Sequence, residues 1–249
     1  MPHFYYRIEV NLMDYQTIEL VNSPTRAGIE IVATKLQDAP TDALSFLVKR
    51  KKLPDGLYVT IATIPTILPA QMTFRLLDKN VLSGNTYQYL LTPVVNEVEM
   101  LGISTTVVCD LPFLHICDTS GALFAYMDIS VSEQRNTSVN YVKPLYGKYP
   151  HVVCNSDTNY SSGTAEALFL PFNTSCVPDI TKATISNFNA LEMLTNGLQK
   201  VMRTPDGRGW SISVNGEPRV NKDEFFGADT ISFDWTEVAA FPETGVTTL

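Results

Sequence analysis

The groups in this sequence that can do chemistry are few, and their spacing argues against most reactions. Zinc sites use cysteine or histidine pairs separated by at least two but only a few intervening residues in tight turns. Cys109, His115, Cys117 and Cys154 do not offer that spacing. His115 and Cys117 share a face only because a strand places alternate residues on one side. Nucleophilic catalysis would draw on His3, His115 or His151, yet none lies beside a nucleophile motif, and "SSGTAE" is not the G-x-S-x-G elbow. Asp110, Asp118, Asp128, Asp157 and Asp179 are carboxylates enough for a glycosidase pair, but nothing in their placement selects two of them. No catalytic residue, cofactor or metal is therefore expected, and the chain reads as a non-enzyme.

Two basic stretches remain. In "GLQKVMRTPDGRGWSISVNG" (197–216) basic side chains surround a glycine turn. A phosphate cradle places its glycines before a helix, where backbone N–H groups and the positive helix end face the anion. Here "TPDGRG" follows a helical pattern, at the end that repels anions. Pro205-Asp206-Gly207 is a turn signal, so the stretch is expected to bend a helix into a strand. The run Lys49, Arg50, Lys51, Lys52 is the concentrated positive charge of the chain. It is a candidate contact for an acidic neighbour or an anionic polymer, although the "LPDG" that follows also suits a solvated turn. Phe4, Tyr5 and Tyr6, in "HFYYRIEV", form an aromatic start that is a candidate arm onto a neighbouring subunit.

The elements that must hold these residues are mostly strands. The chain has 249 residues, 45% hydrophobic and 18% charged, enough for one large β domain or two moderate ones. A formal net charge of −8 argues against nucleic acid and anionic membrane as general partners. No apolar run is long enough for a membrane span, and the first residues lack a secretory pattern. The four cysteines are accordingly expected to be reduced, and the sequons at Asn136, Asn159 and Asn173 unmodified.

Short β-favouring runs separated by turn residues predict a mainly β fold. Residues 15–100 look similar to an immunoglobulin or fibronectin type III sandwich. The telling stretch is "SGNTYQYLLTPV", where Tyr87 and Tyr89 open a late strand after a glycine turn, as in a tyrosine corner. Residues 101–241 predict a second β-rich domain, either sandwich or barrel. They include a helix near 187–202, striped by Phe188, Leu191, Leu194, Leu198 and Val201 and capped by Ser186. "WSISVNG" predicts a strand with Trp210, Ile212 and Val214 on one face. Residues 1–14 are the arm and 242–249 a flexible tail.

The second half also resembles tail and baseplate proteins of tailed bacteriophages. The likeness lies in "YGKYPHVVCNSDTNYSSGTAEALFL", at Gly147, Lys148, Tyr149, Pro150, Asn155, Asn159, Tyr160 and Gly163, with turns at the asparagines and at the small residues. It continues through the helix, the "PDGR" turn and "ISFDWTE", covering about residues 100–240. The resemblance implies a non-enzymatic virion component of the distal-tail kind, made in the host cytoplasm. Its implied partners are further copies of itself and other tail or baseplate proteins. A ring-forming segment usually leads in distal tail proteins, whereas here the sandwich leads. An adaptor, wedge or collar piece is therefore equally in view. The alternative is a carbohydrate-binding module for a host surface glycan, with Tyr126, Tyr141, Tyr146, Tyr149 and Tyr160 as its aromatic platform.

Overall fold

Period-two alternation of apolar side chains governs most of this chain. Strand Thr86–Val95 buries Tyr87, Tyr89 and Leu91, every second residue, and Gly28–Lys35 buries Ile29, Ile31 and Ala33 in the same way. The computed structural model describes residues 16–23, 26–35, 43–65, 73–95, 97–143, 145–146, 148–172, 177–222, 229–242 and 246–248. The chain is mainly β, in several antiparallel sheets, and divides into two units, Met1–Leu111 with Pro242–Leu249, and Pro112–Phe241.

The first unit has two sheets. One runs β1 (Gln16–Ser23), β2 (Gly28–Lys35), β5 (Thr73–Asp78), β16 (Val246–Thr248). The other runs β4 (Val59–Pro65), β3 (Ala43–Lys52), β6 (Thr86–Val95), with β7 (Val98–Glu99) and β8 (Ile103–Val108) both pairing with β6. In the loop before β6, Gly84 takes φ +72° and the Asn85 amide donates to the Leu82 and Ser83 carbonyls. The Leu82 N–H donates to the Tyr87 hydroxyl at 3.0 Å, so the expected tyrosine corner is present. Burial pushes the Tyr87 hydroxyl above its ordinary pKa, which keeps it a neutral phenol.

Two boundaries differ from expectation. The first unit extends beyond residue 100 because β8 pairs with β6 from Leu91↔Ile103 to Thr86↔Val108, and the Cys109 N–H then bonds to the Asn85 carbonyl. Val246–Thr248, expected within a flexible tail, pair with Leu76–Asp78 of β5. A closing strand from the chain end thus completes a sheet begun near its start.

In the second unit β9 (Leu114–Cys117), β10 (Ala122–Val131), β12 (His151–Phe169), β13 (Lys200–Arg203), β14 (Gly209–Asn221) and β15 (Thr230–Ala239) pair in the order β10-β9-β13-β14-β15-β12, and β12 pairs again with β10. The circuit is closed, a six-stranded antiparallel barrel, and closure removes the edges that an open sheet would expose. Trp210 and Ile212 are buried in its core and Val214 packs against them, as the alternation predicted. The Trp210 and Trp235 rings lie 5.0 Å apart. β11 (Gln134–Val142) pairs with β12 outside this circuit.

The helix, α1 (Ala183–Thr195), follows a short 3-10 turn at Ile180–Lys182 and buries Asn187, Ala190, Met193 and Leu194. It lies earlier than the expected 187–202. Gly197 adopts φ +73° just past the end, where a left-handed residue stops a helix. Val201 belongs instead to β13, Ser186 lies within the helix, and Phe188 points away from the core at 69% exposure. Consequently "TPDGRG" is not a helix-to-strand bend. It is the hairpin turn between β13 and β14, which pair from Lys200↔Ile212 to Arg203↔Gly209.

Candidate functional site

The four-residue basic run ends β3, and strand alternation gives its side chains different fates. Arg50, with Phe46 and Val48, points inward and is buried. Its Nη1 lies 2.8 Å from each Asp78 carboxylate oxygen and 2.8 Å from the Asn80 carbonyl. The Tyr89 hydroxyl donates to the same carboxylate at 2.9 Å. Arg50 and Tyr89 come from one sheet and Asp78 from the other, so the cluster ties the two sheets together. Burial first, and then the Asp78 charge, raise the Tyr89 hydroxyl well above its ordinary pKa. Lys49 pairs with Glu99, and Lys51 lies over the Tyr58 ring at 5.6 Å. Lys52 is exposed at the strand end. Of these candidates, Arg50 is committed to the interior of its unit, and Phe4, Tyr5 and Tyr6 lie outside the described residues.

The basic charge of the PDGR turn is also taken up. Arg208 contacts Asp206 at 2.7 Å and Glu133 at 3.1 Å, and its guanidinium lies over the Trp210 ring. Glu133 in turn accepts from the Ser161 hydroxyl at 2.8 Å. The Ser161 hydrogen bond is the main reason the Glu133 carboxyl titrates below its usual value, with Arg208 adding to it against the opposing effect of burial. Asp206 is held low chiefly by Arg208. The turn is held by an internal salt-bridge network of Arg208, Asp206 and Glu133.

His115 is a core side chain. It tilts against Phe124 with ring centroids 4.9 Å apart, and its Nδ1 lies 2.7 Å from Arg203 Nη2. The guanidinium can only donate, so Nδ1 accepts and the proton sits on Nε2. Cys109 and Cys117 are in no disulfide. No cluster of three metal-ligating side chains occurs among the described residues. The Cys154 side chain lies outside what is described, and so do those of His3, His151 and Asp157.

Lys200 is buried beside Asp118 at 3.6 Å and donates to the Asn196 side chain and the Leu198 carbonyl. Burial lowers the Lys200 pKa, partly offset by Asp118. Asp118 is raised by burial, but hydrogen bonds from Ser120, Asn196 and Gly121 outweigh this and hold it low. The two groups lock the end of α1 to the β9–β10 turn.

One exposed feature is a ribbon. The sequence suggested two strands and intervening turns around Asn155, Asn159 and Gly163, but all of 151–169 is the single strand β12. Its 162–169 portion belongs to the barrel, while His151–Ser161 has only β11 beside it among the described residues. β11 faces it with eight residues, Arg135–Val142, so the two-stranded ribbon is about 25 Å long, and β12 carries an irregularity at 155–158. Gly163 marks where it leaves the barrel, because a Cβ there would lie 2.1 Å from the Ser132 carbonyl oxygen of the β10–β11 crossing. At the tip, between the paired residues Val142 and His151, Leu145 is 90% exposed, Tyr146 97% and Tyr149 72%. Lys148 lies over the Tyr149 ring at 5.4 Å. Of the tyrosines considered for a sugar platform, Tyr146 and Tyr149 share this tip and Tyr160 is half-buried on β12. The side chains of Tyr126 and Tyr141 lie outside what is described. The sequence signal for the tip was weak, an apolar run broken by Pro144, Gly147 and Pro150 that also reads as an ordinary loop.

A second surface feature is an open cavity of about 470 Å³ beside α1, lined by Leu123, Met193 and Leu198 with Glu192, Asn196 and Ser120. No helix among the described residues is long and apolar enough to cross a membrane.

Fold and surfaces together define a mainly β, two-unit protein whose most exposed apolar side chains include those at a ribbon tip. No protein-family model matches the chain, and no curated protein does. Among solved structures, the chain is similar to one from the virion of a native gene transfer agent particle. That likeness covers 55% of this chain and 95% of the other, with a TM-score of 0.31 and 11% sequence identity. At those values it carries no statement about fold or role.

Proposed function

We infer that this chain is a non-enzymatic structural protein of a tailed-phage virion, a part of the tail tip or baseplate that works through protein–protein contacts. The observation that carries the reading is the ribbon. A two-stranded ribbon is marginal in water by itself, and this one runs about 25 Å with unpaired outer edges among the described residues and an apolar tip. Such an element is expected to be covered in an assembly. The sequence resemblance over residues 100–240 supplies the kind of assembly. The first unit supports it further as a fibronectin-like module. Its β1-β2-β5 and β4-β3-β6-β8 neighbours follow the A-B-E and C′-C-F-G arrangement of immunoglobulin-like sandwiches, and Tyr87 makes the corner.

Light scattering through a sizing column over a wide concentration range, with negative-stain images of the same fractions, tests the reading. A ring or stack of fixed stoichiometry supports it, and a monomer at every concentration, alone and with candidate tail proteins, would remove it. The second reading, glycan binding, is favoured by one observation, the pairing of Tyr146 and Tyr149 on one tip. A glycan array separates the two.

A further inference from the structure

We propose that the ribbon tip of one copy docks into the cavity beside α1 of a second copy, in a head-to-tail contact. This rests on the assembly reading above and names the surfaces that carry it. The two patches are joined by two consecutive strands, β10 and β11. The β9–β10 turn, whose Ser120 lines the cavity, leads directly into Ala122–Val131, which continues through Gln134–Val142 to the tip. About 20 residues of chain, bent at Asp128 with its φ of +54°, lie between the tip and the cavity. Two different patches on one unit are the geometry of a heterologous contact, which propagates into a ring or a stack.

The chemistry of the patches matches. The tip presents Leu145, Tyr146 and Tyr149 with Lys143 and Lys148, and no acidic residue lies between Val142 and His151. The cavity presents the apolar Leu123, Met193 and Leu198 with Glu192 beside them, on a chain of net charge −8. Its roughly 470 Å³ has room for an aromatic side chain. A tyrosine seated there would bury its ring against the apolar wall while a tip lysine meets Glu192. Apolar anchor and opposite charge together fix the partner as another copy of this acidic chain.

The test uses full-length protein carrying a photo-crosslinking phenylalanine analogue in place of Tyr146, mixed with an isotope-labelled copy. Crosslinks from 146 into residues 120–123 or 189–198 of the differently labelled copy, which line the cavity, are expected. Crosslinks within one copy, or to any other region, would overturn the proposal. Two charge variants make it sharper. E192K and the pair K143E/K148E are each expected to raise the concentration at half-assembly at least tenfold. Mixing them sets each lysine tip against a glutamate cavity and each glutamate tip against a lysine cavity, so assembly lost in either variant alone should return in the mixture. If the wild-type chain assembles and both variants assemble equally well, this contact is wrong while the structural role survives. If the wild-type chain assembles with nothing, both fall. Binding of a glycan that is lost in Y146A/Y149A would assign the tip to a sugar and also overturn the contact.

Discussion

Arg50 Nη1 lies 2.8 Å from both carboxylate oxygens of Asp78, and neither side chain is more than 8% exposed. A buried pair of this kind adds little net stability over an apolar pair of the same volume, because both charges lose their hydration. Removing one partner is a different matter, since the other charge stays buried without compensation. Asp78→Ala is expected to destabilise the first unit by about 3–5 kcal/mol, and the joint change Arg50→Met with Asp78→Leu by clearly less. Urea unfolding followed by circular dichroism checks the order of the two.

Tyr87→Phe is expected to cost about 1–3 kcal/mol, because the Leu82 N–H loses its acceptor at a half-buried position. The loss should appear in the first unit alone. Both tryptophans of the chain, Trp210 and Trp235, sit in the second unit's core, so tryptophan fluorescence follows that unit. Calorimetry should show the change while the fluorescence transition stays where it was.

Gly163→Ala should act on the second unit, and by a steric route. Its added Cβ would meet backbone oxygen at 2.1 Å, so the β10–β11 crossing must shift. A cost of about 2 kcal/mol or more is expected, as for other overpacked sites. Gly197→Ala meets no neighbour but holds φ +73°, so about 1–2 kcal/mol is expected there from backbone strain alone. Tryptophan fluorescence against urea ranks the two.

Acid should weaken the second unit. Glu133, Asp206 and Asp118 have folded pKa values below their ordinary ones. Their contribution is therefore complete above the ordinary values, 4.5 for glutamate and 3.8 for aspartate, and is lost as pH falls through the lower folded values. Lys200 contributes with the opposite sign, since burial lowers its pKa: its charge opposes folding fully below that lowered value, and the penalty is relieved as pH rises from there towards the ordinary 10.5. Glu133→Gln should flatten the acid limb of a Tm-against-pH curve read by fluorescence. An unchanged limb would count against this assignment.

Local features were readable from sequence wherever the interaction was itself local. The Tyr87 corner spans five residues, and the glycine turn before it announces it. The face shared by Trp210, Ile212 and Val214 follows from alternation within one strand. The helix was placed late because Leu198 and Val201 keep a helical interval by chance, and Gly197 outweighs that interval by its backbone geometry. Asn155, Asn159 and Gly163 are turn-forming residues and read as breaks between two strands. In the structure Asn159 pairs with Thr137 and Gly163 with Trp235, while Asn155 falls in the irregular stretch 155–158 of one strand.

The sequence by itself determined a mainly β chain, a strand pattern with a tyrosine corner, and the scarcity of catalytic motifs, because each depends on neighbours a few positions away. The tertiary structure alone decided that the barrel closes through β10 and β12, that Arg50 turns inward to a carboxylate 28 residues on, and that Tyr146 and Tyr149 stand at the end of a projecting ribbon. The reason is physical. Alternation says which side of a strand is apolar, but the strand it pairs with, and hence what that side meets, is chosen by contacts between residues far apart in the chain.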